Sequence, residues 1–142
     1  MRVLGVDFGH KRVGLALSDE SGTIAQPLTY IDGGGVAAVS REVARIGEER
    51  QAGKIVVGVP LRLDGTSSEQ TERTLGFIVE LQRATTIPVV KWDERLTSAQ
   101  AERVLLEGNV RRSKRKQNID KLAAQIMLQS YLDATNPPTG EV

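Results

Sequence analysis

Short apolar segments alternate with polar or glycine-containing breaks in the first part of the chain. Residues 2–8, 13–18 and 24–31 are apolar runs of strand length. The polar break at 9–12 predicts a hairpin turn between the first two strands, and the glycine-rich segment 32–35 ends the third. The chain is therefore expected to begin with hairpin-linked, antiparallel strands.

From residue 36 onward, helical spacing of apolar residues alternates with further strand-like runs. The predicted elements are helix 36–52, strand 54–60, helix 67–84, strand 87–92, a helix from Thr97 to Gly108 and a helix over 119–134, with Gly53 ending the first helix. The run 54–60 is continuously apolar, as expected of a buried central strand. The order β-β-β-α-β-α-β-α-α predicts a single α/β domain over 1–142. Its five-stranded mixed sheet would start antiparallel, continue as βαβ units and be flanked by helices.

The charge of the chain is unevenly distributed. The formal net charge is +1, but residues 111–121 carry six basic residues and one acid, a net charge of +5, which leaves about −4 elsewhere. Residues 109–117 lack apolar anchors, so we expect a mobile basic loop there, and 136–142 should form a C-terminal tail. The basic tract is either a solvated loop or a site that attracts a polyanion.

Composition restricts the chemistry that the chain can perform. The absence of cysteine excludes disulfides, thiolate metal sites and cysteine nucleophiles, and the single histidine, His10, excludes multi-histidine zinc sites. Carboxylates are the main metal ligands that remain. No apolar run approaches the roughly 18 residues that span a bilayer. The N-terminus lacks a signal-peptide pattern, so a cytoplasmic protein without a membrane partner is expected.

Three acidic residues lie at the edges of predicted elements. Asp7 ends the first apolar run, Glu94 follows the strand 87–92, and Asp120 opens the last predicted helix. A carboxylate in an apolar setting needs a cation or hydrogen-bond donors, because burying it unpaired costs several kcal/mol. If the fold brings the three together, they form a carboxylate cluster that binds divalent cations. A metal site beside a basic tract indicates phosphodiester chemistry.

Each acid also has an alternative interpretation. Asp7 could cap the turn through Gly9, Glu94 could pair with Arg95 or begin a helix, and Asp120 could be an ordinary helix N-terminal acid. Neighbouring Asp93 should point away from Glu94 if the strand continues, and whether it joins the site stays open. The segments 58–61 and 64–66 are either a strand exit and turn or the rim of the site.

Four sequence blocks resemble the YqgF/RuvX family of RNase H-like proteins, which is related to RuvC-type Holliday junction resolvases. They are Asp7-Phe8-Gly9-x-Lys11-Arg12-x-Gly14-x-Ala16, Val57-Gly58-Val59-Pro60-Leu61-x-x-Asp64-Gly65, Asp93-Glu94-Arg95-Leu96-Thr97-Ser98 and Asp120-x-x-Ala123-Ala124. They follow the family's order over nearly the whole chain. His10 stands where other members often have threonine or another polar residue, and we assign it no catalytic role.

The resemblance implies an RNase H-like fold and a nuclease whose catalytic, metal-binding acids are Asp7, Glu94 and Asp120. Catalysis of this type uses Mg²⁺ or Mn²⁺, with two ions about 3.5–4 Å apart, and Asp7 is the candidate bridging ligand. The expected phosphate-contacting residues are Lys11, Arg12, Arg95, Arg111, Arg112, Lys114, Arg115 and Lys116. No organic cofactor is expected.

Several functions remain open at this point. The family's main role is processing of the 5′ end of pre-16S ribosomal RNA, and its older description is resolution of Holliday junctions. A non-catalytic RNA-binding assembly factor is one rival. An ATP-binding protein of the actin and sugar-kinase type is another, although its two lobes need a longer chain. The sequence does not separate RNA from DNA, endonuclease from exonuclease, or monomer from homodimer.

Overall fold

The computed structural model describes residues 1–96 and 112–135, with side chains for 1–96 and 122–135. The elements are β1 Arg2–Phe8, β2 Arg12–Ser18, β3 Ala25–Asp32, α1 Val36–Glu49, β4 Ala52–Val59, α2 Glu69–Ala84, β5 Val89–Asp93, a short 3₁₀ helix Glu94–Leu96 and α3 Arg112–Thr135. The helix predicted from Thr97 to Gly108 and the tail 136–142 lie outside the described residues. None of the described helices is both long and apolar enough to cross a membrane.

The five strands form one mixed sheet in the order β3-β2-β1-β4-β5. β1 and β2 pair antiparallel, as do β2 and β3, whereas β1, β4 and β5 run parallel. This arrangement confirms the predicted mixed sheet with an antiparallel start. Because β1, β4 and β5 are parallel neighbours, their carboxyl ends lie at the same edge of the sheet.

Each face of the sheet is covered by helices. Side chains alternate between the two faces along a strand. On β1, Leu4, Val6 and Phe8 pack in the core cluster that contains the inner residues of α1 and α2. The second cluster lies on the opposite face, where Val3 and Val56 pack with buried residues of α3, among them Leu128. The core is thus a three-layer α/β/α arrangement.

Gly5 determines how closely α3 approaches the sheet. A Cβ atom at Gly5 would lie 2.8 Å from Cβ of Leu128, which is closer than such atoms come in folded proteins. Gln125 and Gln129 fix the same helix to β3 through hydrogen bonds to the backbone of Ala25, at 3.2 Å and 2.9 Å. The helix therefore has a defined position against the centre of the sheet.

Two details differ from the sequence predictions. The last helix begins at Arg112 rather than near 119, so 112–117 are helical where a loop was expected. Arginine and lysine are good helix formers, and neither glycine nor proline interrupts 112–135, so the lack of apolar anchors was a poor guide. In addition, α1 ends at Glu49 and Gly53 lies within β4. The chain reverses at Gln51, whose φ is 59°.

Candidate active site

Asp7 lies near the carboxyl end of β1 on the sheet face covered by α3. Its neighbours Val6 and Phe8 point into the opposite core, and Asp7 itself is half-buried. The residue paired with it on β2 is Gly14. Directly paired residues of adjacent strands are side-chain neighbours, so a glycine here removes the one neighbour that β2 would supply.

Glu94 is the second acid of the site. It comes from the end of β5, which is separated from β1 by β4. It follows β5 directly as the first residue of the 3₁₀ helix. Its carboxyl group hydrogen-bonds with that of Asp7. Burial, and next the negative charge of Asp7, raise the pKa of Glu94 to about 8. At neutral pH the two groups therefore share a proton, with the O–H of Glu94 donating to the Asp7 carboxylate.

Asp93 and Arg95, which flank Glu94, pair with each other. Arg95 Nε lies 3.1 Å and 3.0 Å from the two Asp93 carboxylate oxygens, and Nη2 lies 2.6 Å from Oδ2. The backbone N–H of Arg95 also donates to Asp93 at 2.9 Å. These bonds hold the pKa of Asp93 below its usual range. Asp93 is thus paired with Arg95. The strand ends at Asp93 and Glu94 begins the 3₁₀ helix, so the condition on which opposite directions were predicted, a strand that continues through Glu94, is not met.

The turn after Asp7 carries two of the predicted phosphate-contacting residues. Lys11 and Arg12 are exposed, and the guanidinium of Arg12 lies 4.7 Å above the ring of Tyr30. Gly9 permits the tight turn, because a Cβ there would collide with the carbonyl oxygen of Arg12. The turn therefore presents two cations close in sequence to the acid site.

Side chains of α2 contact the same turn and stabilise it. Arg73 Nη1 lies 2.8 Å from Nδ1 of His10, and Gln70 donates to the carbonyl oxygen of Phe8 at 2.7 Å. The Phe8 ring stacks on Phe77 with centroids 4.4 Å apart. His10 and Phe8 thus connect the turn to α2.

Asp120 and the basic residues of 112–116 lie in the amino-terminal half of α3. Asp120 is helical, but its side chain lies outside the described residues, as do the side chains of Arg112, Lys114, Arg115 and Lys116. Arg111 lies outside them altogether. The structure therefore brings Asp7 and Glu94 together, and the place of the third acid stays a prediction.

Two of the alternative interpretations can be compared with the geometry. The turn bond at Gly9 is donated to the main-chain carbonyl oxygen of Asp7, at 3.1 Å, so that bond leaves the Asp7 carboxylate uninvolved. Arg95 pairs with Asp93, while the carboxyl group of Glu94 turns toward Asp7. The carboxyl groups of Asp7 and Glu94 therefore interact with each other.

Gly58 is a site residue whose role the sequence analysis did not identify. A Cβ at this position of β4 would lie 2.6 Å from Oε1 of Glu94, so the glutamate lies directly over the glycine. The sequence does contain a signal: Gly58 stands inside the strand-length run 54–60, and a glycine inside a strand often marks the close approach of another group.

The chemistry of this pair fits a divalent cation. At neutral pH, two carboxyl groups in contact do not both ionise unless a positive charge lies between them, and Mg²⁺ and Mn²⁺ prefer such oxygen ligands. Within the side chains that the structure describes, no set of three or more histidine, cysteine or acidic residues is grouped for metal binding. Asp7 and Glu94 would thus provide two oxygen ligands for such an ion, and any third ligand would come from elsewhere.

Comparison of the sequence with known proteins identifies close relatives. A family model described as "RuvX: Holliday junction resolvase" matches residues 1–134. A protein of Caldanaerobacter subterraneus subsp. tengcongensis is 47% identical over 135 residues, covering 94% of this chain and 97% of the relative, and one of Thermoanaerobacter pseudethanolicus is 44% identical with the same coverage. Both carry the name "Putative pre-16S rRNA nuclease".

Solved structures of RuvC-type resolvases share the fold. The structure of Thermus thermophilus RuvC in complex with a Holliday junction substrate aligns with a TM-score of 0.63 at 14% identity, covering 96% of each chain. The complex of the fowlpox virus resolvase with Holliday junction DNA aligns with a TM-score of 0.58 at 14% identity, covering 96% of this chain and 99% of the resolvase. The predicted RNase H-like fold is confirmed, and the chain belongs to the RuvX (YqgF) family.

Proposed function

We propose that this chain is a divalent-metal-dependent nuclease that hydrolyses phosphodiester bonds in structured nucleic acid. The observation that carries the proposal is the contact between the carboxyl groups of Asp7 and Glu94, with the pKa of Glu94 raised to about 8. A half-buried acidic pair of this kind is unfavourable for folding without a partner, and strongly perturbed acids concentrate at functional sites.

Asp7 and Glu94 are the proposed metal ligands, and if two ions bind, Asp7 would be the ligand that they share. Mg²⁺ or Mn²⁺ bound here would supply an activated water and stabilise the oxygen that leaves the phosphorus. The protein contributes the oxygen ligands, releases the proton that Glu94 shares with Asp7, and holds Glu94 at a fixed distance from β1. Its products would carry a 5′ phosphate and a 3′ hydroxyl.

Asp120 is the proposed third ligand, and the course of α3 supports this role. Tyr131 packs beside Lys54 near the start of β4, whereas Leu128 packs on Gly5, nearer the carboxyl end of the sheet. Moving toward its amino terminus, the helix therefore advances to the edge that holds Asp7. Asp120 lies eight residues, about 12 Å, before Leu128 and on the same helix face.

The proposed substrate-binding groups belong to the turn after β1 and to the basic tract 111–116. Lys11 and Arg12 are exposed on the turn that follows β1. On α3, Arg112, Lys116 and Asp120 are spaced by four residues and hence share one face of the helix. Arg112 and Lys116, together with Arg111, Lys114 and Arg115, would contact phosphates. Arg95 is already paired with Asp93, so its contribution would be to shape the site.

The proposed natural substrate is the 5′ end of pre-16S ribosomal RNA, which places the protein in ribosome maturation in the cytoplasm. This step rests on the names of relatives that are 44–47% identical over nearly their whole length. A second candidate, cleavage of Holliday junctions or other branched DNA, is favoured by the description of the matching family model. A symmetric junction would call for a homodimer, whereas an RNA end can be processed by a monomer.

A cleavage panel tests both candidates. Precursor rRNA, single-stranded RNA, duplex DNA and four-way junctions are incubated with Mn²⁺, Mg²⁺ or EDTA. We expect cleavage of precursor rRNA near the mature 5′ end with either metal and none with EDTA. Preference for the junction would favour the second candidate. RNA binding of equal strength in EDTA, without cleavage under any condition, would contradict a nuclease and indicate an assembly factor.

A further inference from the structure

Gly58 occupies a position where a glycine is unfavourable unless something requires it. It lies in β4, paired with Trp92 of β5, among the buried β-branched residues 55–57 and 59. A glycine in a strand loses more conformational entropy on folding than another residue and packs nothing against its neighbours. Its φ is not among the positive values of the described residues, so the backbone alone would accept alanine.

The requirement comes from the path of the Glu94 side chain. β4 lies between β1, which carries Asp7, and β5, which leads into Glu94. Neighbouring strands are about 4.8 Å apart, so the side chains of Glu94 and Asp7 must together bridge about two strand spacings. They meet only if the glutamate lies against the surface of the strand between them.

The contact at Gly58 shows this arrangement directly. A Cβ there would lie 2.6 Å from Oε1, 2.9 Å from Cγ and 3.1 Å from Cδ of Glu94. The three atoms span the outer part of the glutamate, so rotating only its terminal carboxylate would not relieve the clash. A methyl group at this position would displace the side chain from β4.

We propose that Gly58 is a positioning residue whose missing side chain sets the distance between the Glu94 and Asp7 carboxyl groups, and thereby the affinity of the site for divalent cations. The proposal rests on the metal-dependent function proposed above and adds a residue that determines the geometry of its ligands. Gly58 does not contact substrate or metal; it acts through Glu94.

The direct test is the Gly58→Ala variant with Mn²⁺ as the probe. We expect Mn²⁺ affinity, measured by calorimetry or electron paramagnetic resonance, to fall by about 10- to 100-fold, the range found when residues that orient metal ligands are changed. Nucleic-acid binding in EDTA should stay unchanged, and high Mn²⁺ should partly restore cleavage. Gly76→Ala is the matched control, because a Cβ at Gly76 meets no atom within 4 Å. Wild-type Mn²⁺ affinity in Gly58→Ala would overturn the proposal.

A double-mutant cycle tests the positioning separately from metal binding. In EDTA, introducing Gly58→Ala into the wild type should lower the melting temperature. Introducing it into Glu94→Ala should not, because that variant lacks the three crowded atoms. If Gly58→Ala does not fold, the double variant Gly58→Ala/Glu94→Ala should fold. Equal losses in both backgrounds, or failure of both to fold, would show that Gly58 serves the strand alone. If the wild type binds no Mn²⁺, the metal function fails, whereas the cycle still decides whether Gly58 positions Glu94.

Discussion

The carboxyl groups of Glu94 and Asp7 hydrogen-bond with each other across strand β4, although the strands that position them, β5 and β1, are not neighbours in the sheet. The contact is possible because Gly58 leaves the surface of β4 open beneath the glutamate. It holds a proton that an isolated glutamate would release near pH 4.5. The stability, metal binding and activity of the protein should all depend on this shared proton.

Without metal, the protein should become less stable as pH rises from about 4.5 to about 8. Over this window the folded protein holds the Glu94 proton and the unfolded chain has released it, so a rise in pH favours unfolding. One proton corresponds to at most about 1.4 kcal/mol per pH unit. Chemical denaturation in EDTA should show this slope in the wild type and a reduced slope in Glu94→Gln. Identical pH profiles for the two proteins would contradict the shared proton.

Mn²⁺ should stabilise the protein more at pH 8.5 than at pH 6. At the higher pH the Glu94 carboxylate is already ionised, whereas at the lower pH its proton must be displaced. Mn²⁺ at a concentration 100 times its Kd adds about 2.7 kcal/mol to the free energy of unfolding. Melting temperatures with and without Mn²⁺ measure the effect, and calorimetry in two buffers counts the released proton. Asp7→Asn should abolish the shift.

The Asp93–Arg95 pair should matter for activity more than for stability. Both side chains are partly exposed, so breaking the pair in Arg95→Gln should cost less than about 1 kcal/mol of unfolding free energy. The cleavage rate of Arg95→Gln should be affected more strongly than its stability, because the pair fixes the turn that carries Glu94. Arg95→Lys should not restore cleavage, since an ammonium group cannot reproduce the paired hydrogen bonds.

A comparison with Asp93→Asn separates this positioning role from the phosphate contact that the sequence suggested. If Arg95 acts through Asp93, the two single variants and the double variant should have similar cleavage rates, and the salt dependence of binding should not change. A lower salt dependence in Arg95→Gln alone would instead assign the arginine to a phosphate.

Lys11 and Arg12 should contribute to nucleic-acid affinity rather than to the chemical step. Changing each to glutamine should weaken binding and lower the slope of log K against log salt by about 0.9 for each phosphate that is no longer neutralised on duplex substrate. Fluorescence anisotropy across a salt series measures this slope. Arg83→Gln on α2 is the matched control, since its side chain is exposed and lies outside the turn. An unchanged slope in both variants would show that Lys11 and Arg12 do not contact phosphates.

The sequence was sufficient to predict the sheet. Gly9 and the polar turn after it marked the β1–β2 hairpin, and the apolar run at 54–60 marked the central parallel strand. These strand and turn predictions succeeded because period-two alternation and turn residues are local properties of the chain. Asp7 stood out because a carboxylate at the end of a buried strand needs a partner, and its assignment as a catalytic acid stays a prediction.

The remaining features depend on contacts between distant parts of the chain. The direction of the Glu94 side chain follows from the β4–β5 pairing and from the space above Gly58, which only the assembled sheet creates. The helical start of α3 was missed because the basic residues 112–117 were judged by their lack of apolar anchors. The helix was predicted to stop at Gly53, but the chain reverses at Gln51. The glycine at position 53 is explained instead by the close approach of the Met1 side chain.

The most direct test of the proposed active site is Mn²⁺-dependent cleavage of precursor rRNA by the wild type, Asp7→Asn and Glu20→Gln. Glu20 is a matched control, an acid whose side chain is 85% exposed at the opposite end of the sheet. We predict that wild type and Glu20→Gln cleave at similar rates, and that Asp7→Asn binds the RNA normally in EDTA but cleaves at least about 100-fold more slowly. Equal cleavage by Asp7→Asn and wild type would contradict the proposed site.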